Sequence, residues 1–131
     1  MQIETALEIL RKQGSGHLVL ISSVLGNKGV AGAKAAYAAS KAGVSSLGES
    51  LRAEYASGPI RVTVIEPGYI ESEMTARTAK TMLMTDNQTG VAKMVNAIER
   101  ERGRAVVPGW PWVPLVTMLK LLPPRFTKPF A

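Results

Sequence analysis

The chain has 131 residues, 46% apolar and 20% charged, with no cysteine and a single histidine, His17. That length holds one domain with a real core and is too short for two, and the missing cysteines exclude disulfides and thiolate metal sites. The formal charge of +6 comes from 16 Lys and Arg against 10 Asp and Glu. The basic residues are scattered, and the densest run, residues 100–104, is broken by Glu101, so no nucleic-acid partner is expected.

Residues 3–11 read as a helix, with Ala6, Leu7, Ile9 and Leu10 on its apolar side and Gly14-Ser15-Gly16 stopping it. Four apolar residues in a row, Leu18 to Ile21, predict a strand covered on both faces. Ser22-Ser23 and a glycine-rich stretch to Gly32 follow. The spacing of Val44, Leu47, Leu51 and Tyr55 predicts a helix over residues 37–55, with small residues allowing close approach of a neighbour. A second buried strand is expected over residues 60–65, ended by Glu66-Pro67-Gly68 because proline lacks a ladder donor. Glu66 is assigned a surface or turn role.

Residues 69–88 have mixed polarity and predict a partly helical, mobile excursion. Val91, Met94, Val95 and Ile98 mark an amphipathic helix capped near Asn87 or Thr89. Residues 104–107 predict a short third strand, and residues 115–122 a short helix before Pro123-Pro124. Strand, helix and parallel strand form an α/β unit. The tail, residues 108–131, is apolar and rich in proline and tryptophan.

Tyr37 and Lys41 stand four apart, on one face of the predicted helix. A phenol is a poor acid–base group at neutral pH, and a nearby ammonium favours its ionised form. Ser22-Ser23 lies at the carboxyl end of a buried strand, where open α/β sheets place ligands. A serine hydroxyl there is suited to hold a carbonyl or alcohol oxygen while the phenol exchanges its proton.

The run from Tyr37 to Gly43, tyrosine then three residues then lysine, resembles the signature of the short-chain dehydrogenase/reductase family. Leu20 to Ser23 resembles the strand that delivers that family's serine, and Pro67-Gly68-Tyr69-Ile70 resembles its proline–glycine turn. The resemblance covers residues 3–107 and implies an α/β fold: a partial Rossmann-like, three-layer parallel sheet with flanking helices. It also implies NAD- or NADP-dependent interconversion of an alcohol and a carbonyl. On it, Tyr37 is the general acid or base, Lys41 supports it and binds the nicotinamide ribose, and Ser23 orients substrate. Pro67, Gly68, Tyr69, Ile70 and Ser72 line the nicotinamide.

Thirteen residues separate Ser23 from Tyr37, one more than the family's usual spacing, and the loop through residues 29–32 is expected to absorb it. Ser22 is the alternative serine, but neighbouring strand residues face opposite ways. The family's opening strand, phosphate-holding glycine turn and asparagine relay have no counterpart in these 131 residues. Residues 1–131 are therefore expected to form a truncated domain of that family, with residues 1–107 as core. The alternative to an oxidoreductase is a non-catalytic homologue, or a fragment needing a partner chain or the missing half. The substrate is expected to be a small apolar alcohol or ketone. The tail is expected to cover the cleft, to pack in a homo-oligomer, or to rest peripherally on a membrane. The location is expected to be cytoplasmic, since no start resembles a signal peptide and no apolar run has the length of a span.

Overall fold

The computed structural model describes residues 2–68 and 85–130. Strands β1 (Gly16–Ile21), β2 (Ile60–Pro67) and β3 (Arg104–Val107) form a parallel sheet in the order β1-β2-β3. Helix α1 (Gln2–Gln13) precedes β1, α2 (Ala35–Glu54) joins β1 to β2, and α3 (Asn87–Glu99) and α4 (Gly109–Leu121) flank β3. A short 3-10 turn, Val24–Asn27, follows β1. The expected α/β architecture is present.

Alternation along the strands splits the core into two layers. Leu18, Leu20, Val62 and Val64 face α1 and α2 and meet Leu7 and Leu51. Ile65, Ala105 and Val107 face the other way and meet Ala97, with Val19, Met94 and Ile98 packed around them. On that second face His17 Nε2 lies 2.7 Å from Thr63 Oγ1, a structural hydrogen bond that pairs two neighbouring strands.

Three expectations need correction. Strand β1 is not covered on both faces: Leu18 and Leu20 are buried, but Ile21 is 48% exposed. Strand β2 does not stop before Glu66-Pro67; it runs through both, with Pro67 in register with Val107. Val64 and Gly68 donate to Gly103 and Val107 on the β3 side. By the two-residue alternation, the Pro67 nitrogen points to the other side, beyond the end of β1, where a donor is not needed. The α3 cap is Asp86 rather than Asn87 or Thr89: its carboxylate accepts from the Thr89 backbone N–H at 2.9 Å.

Helix α2 carries the chemistry and lies close on the sheet. A Cβ placed on Gly48 would collide with Val64 Cγ2 and press on Leu20. Gly48 therefore marks the close approach that the small residues predict, whereas Gly43 faces open space. The last helix starts earlier than residues 115–122, because Pro111 and Pro114 fall near its amino end, past a kink at Trp110. Pro111 is tolerated because the first turn has no intrahelical acceptor for its missing N–H, whereas Pro114 lies inside the helix.

Gly48→Ala is expected to lower stability by about 1–3 kcal/mol through overpacking, read as a drop in denaturation midpoint. Hydrogen bonds from the Thr89 side chain and backbone hold the Asp86 carboxyl below its ordinary value. A depressed folded-state value means that this cap supports α3 above the usual carboxylate range and loses that support as pH falls through the folded value. Asp86→Ala is therefore expected to melt earlier than the parent at neutral pH. The gap should close in acid, below the titration of Asp86.

Candidate functional site

The site grows from the carboxyl ends of β1 and β2 and the first turns of α2. Tyr37 and Lys41 stand on successive turns of α2, and the Lys41 ammonium is 5.7 Å from the centre of the Tyr37 ring. Lys41 Nζ donates to the Ile21 carbonyl, the last of β1, at 3.1 Å. Tyr37 is 38% exposed, so its ring opens to solvent beside a tethered cation.

The two serines after β1 diverge. Ser22 Oγ donates to the Lys41 carbonyl at 2.8 Å and lies 2.6 Å from Ser45 Oγ. Ser23 Oγ caps the 3-10 turn, accepting from the Leu25 N–H at 3.2 Å. A hydroxyl that accepts still has its own proton to donate. Lys41 is thus held at both ends: its carbonyl by Ser22, its ammonium by Ile21.

Beneath these residues lies a polar network that sequence reasoning missed. The Glu66 side chain has no exposure, against the surface or turn role expected for it. Ser45 Oγ donates to one carboxylate oxygen at 3.0 Å. The other oxygen accepts from Asn27 Nδ2 at 3.0 Å and from Arg104 at 2.9 Å. Arg104 also donates to the Asn27 side-chain oxygen. With the Ser45 proton on Glu66, the single Ser22 proton is shared between Ser45 and the Lys41 carbonyl. The chain Arg104–Glu66–Ser45–Ser22 therefore links β3 and β2 to the turn of α2 that carries Lys41. The five network residues span Ser22 to Arg104 with no periodicity. The one available signal was an acid placed directly after the apolar run of β2.

Of the glycines after β1, Gly26 is packed and Gly29 faces open space. A Cβ on Gly26 would come within 2.8 Å of the Lys41 carbonyl carbon, so this glycine lets the 3-10 turn lie on α2. Gly32, at φ 79°, adopts the left-handed conformation that glycine favours. One groove of about 250 Å³ runs between residues 26–30 and α2, lined by Ala38, Ala39 and Ala42 among others. Another, of about 330 Å³, runs along Ser45, Glu49, Glu66, Arg104 and Lys120. Tyr37, Lys41 and Ser23 line neither.

The turn Pro67-Gly68 leaves the sheet beside β3, with the Gly68 N–H donating to Val107 at 2.8 Å. Trp112 of α4 packs so tightly on Gly68 that a Cβ there would overlap the indole. Tyr69, Ile70 and Ser72, expected beside the nicotinamide, lie outside the described residues, as do Met74, Met82 and Met84.

The fit to a dinucleotide is uneven. A phenol and an ammonium at the ends of β1 and β2 are suitable donors for ribose hydroxyls and a nicotinamide. The glycine stretch does not suit a pyrophosphate, because Gly26 is closed against α2 instead of opening toward a helix end.

Comparison with known proteins places the chain in a class. Residues 1–83 match the family model for short chain dehydrogenase, and the chain belongs to that family. An uncharacterized oxidoreductase of Mycobacterium tuberculosis is 73% identical over all 131 residues, which make up 52% of its length. The chain thus spans about half the length of that curated relative. Among solved structures, a short chain dehydrogenase from Burkholderia cenocepacia in complex with NADP superposes with a TM-score of 0.71 at 22% identity. The match covers 87% of this chain and 47% of that one. A 7beta-hydroxysteroid dehydrogenase superposes at 0.77 with 16% identity, covering 95% of this chain and 52% of that one. At those identities, these structures establish the fold.

Glu66→Gln keeps the shape but removes the charge opposite Arg104 and turns an amide donor either toward Ser45 or toward Asn27 and Arg104. It is expected to cost about 1–3 kcal/mol, seen as a lower midpoint in thermal or urea denaturation. An unchanged midpoint would mean that the network contributes nothing to the fold.

Proposed function

We propose that this chain supplies the catalytic half of an NAD- or NADP-dependent oxidoreductase that interconverts a small apolar secondary alcohol and its ketone. The observation that carries the reading is the Lys41 ammonium, fixed to the Ile21 carbonyl at 3.1 Å and 5.7 Å from the Tyr37 ring. A phenol so placed is suited to pass a proton to or from the substrate oxygen. Lys41 sets a positive charge beside that ring. Ser23 holds the substrate oxygen, since Ser22 is committed to Lys41 and Ser45. When bound, the nicotinamide cofactor supplies or accepts the hydride. On this reading Tyr37 and Lys41 would bind its ribose, and the sequence run Pro67, Gly68, Tyr69, Ile70 and Ser72 would supply the residues for its ring.

The Glu66 network belongs to this reading as positioning. It fixes the Lys41 backbone, so the ammonium does not have to be ordered when substrate arrives. On the same reading residues 1–107 are the family core, and residues 108–131 an apolar tail that covers a cleft, packs in a homo-oligomer or rests on a membrane. No helix among the described residues is long and apolar enough to cross a membrane, so contact of that kind would be peripheral to a cytoplasmic protein. A second reading, a non-catalytic chain until another polypeptide completes it, is favoured by Gly26, which is closed against α2 where a phosphate would need room.

Titrating the purified chain with NADH and with NADPH, followed by fluorescence, separates the two. Saturable binding supports the catalytic reading, and no binding of either leaves the second. In a preparation that turns over, Tyr37→Phe is expected to lower kcat by about 100- to 10,000-fold while cofactor affinity stays close to that of the parent. Unchanged turnover would remove Tyr37 from the mechanism.

A further inference from the structure

Helix α4 has two apolar faces and, among the described residues, a partner for one of them. Trp112 and Val116 are buried, and with Leu115 they pack on Val24 of the 3-10 turn and Val106 of β3. The opposite stripe holds Val113, Met118 and Leu121, which are 49%, 50% and 83% exposed. Trp110 at the kink is 80% exposed, and Phe126 beyond the helix 49%. The polar group on this stripe is the Thr117 hydroxyl, and it donates back to the Val113 carbonyl at 2.9 Å, which leaves its methyl outward. A helix apolar all round with one face unburied needs an apolar neighbour.

Charge selects that neighbour. Residues 102–131 contain five basic side chains and no acidic one. Arg104 is spent on Glu66, while Lys120 on α4 and Arg125 and Lys128 shortly after it in sequence are exposed. A second copy docked through this face would be isologous, setting these cations against their own images. An anionic bilayer surface pairs with both features: acyl chains with the stripe, headgroups with the cations, and the interfacial zone with Trp110. The helix is too short to span.

We propose that the exposed face of α4, with Trp110 and Phe126 and the flanking Lys120, Arg125 and Lys128, is a docking surface for anionic lipid. It lies flat in the headgroup region. This holds independently of whether Tyr37 takes part in catalysis.

The test is co-sedimentation of the intact chain with vesicles of phosphatidylcholine alone and of equal parts phosphatidylcholine and phosphatidylglycerol. The expected result is binding to the mixed vesicles, weak binding to the neutral ones, and release by salt. Lys128→Glu removes a cation and adds an anion, so affinity should fall by well over the roughly five-fold expected for neutralising one lysine. Leu121→Asp should abolish binding. Both positions are exposed, and an unchanged melting curve confirms that each variant folds. Three outcomes would overturn the proposal: no sedimentation with the mixed vesicles, equal binding to both compositions, or a dimer in solution that Leu121→Asp dissociates while vesicle binding is absent. The last would assign the face to a second copy.

Discussion

A carboxylate with no solvent exposure lies near the carboxyl end of β2, and the arrangement of the surrounding elements depends on how it is satisfied. Glu66 receives hydrogen bonds from Ser45 on α2, Asn27 in the 3-10 turn and Arg104 on β3. Burying a charge costs several kcal/mol unless a counter-charge and further donors surround it. Three donors from three different elements meet that condition only when those elements hold their native places. The requirement is geometric, and it couples the sheet to the helix that bears Tyr37 and Lys41.

The coupling reaches the chemistry through backbone rather than through side-chain contact with a substrate. Ser45 passes the constraint to Ser22, and Ser22 to the Lys41 carbonyl. Packing acts in the same direction. Gly48 brings α2 onto Val64 and Leu20, and Gly26 brings the 3-10 turn onto the Lys41 backbone. Small side chains and one buried acid thus restrict the same helix from two sides. The ammonium that remains free to point outward is tethered to Ile21 and is already near the phenol.

Helix α4 uses the Pro67-Gly68 turn as a seat for Trp112. The indole and Val116 anchor the helix, so its outer stripe is held in place rather than left to fold inward. An apolar surface kept exposed this way differs from one exposed by chance, because its anchor is itself among the most deeply buried side chains described.

Sequence by itself determined the elements and the pairing of Tyr37 with Lys41. Apolar runs and three-to-four spacing report local burial, and residues four apart on a helix share a face whatever surrounds them. It also located β3 at Arg104–Val107. What only the tertiary structure decided was the fate of the polar residues between. Glu66 and Ser22 look alike in sequence, each a polar residue at a strand end, and nothing local says that both are buried or what each bonds. Their partners lie 19 to 39 positions away, and a hydrogen bond across that separation exists only after the sheet has formed. The extent of β2 through Pro67 was hidden for the same reason. A missing donor matters only if a neighbouring strand asks for it, and the end of β1 is set by the fold.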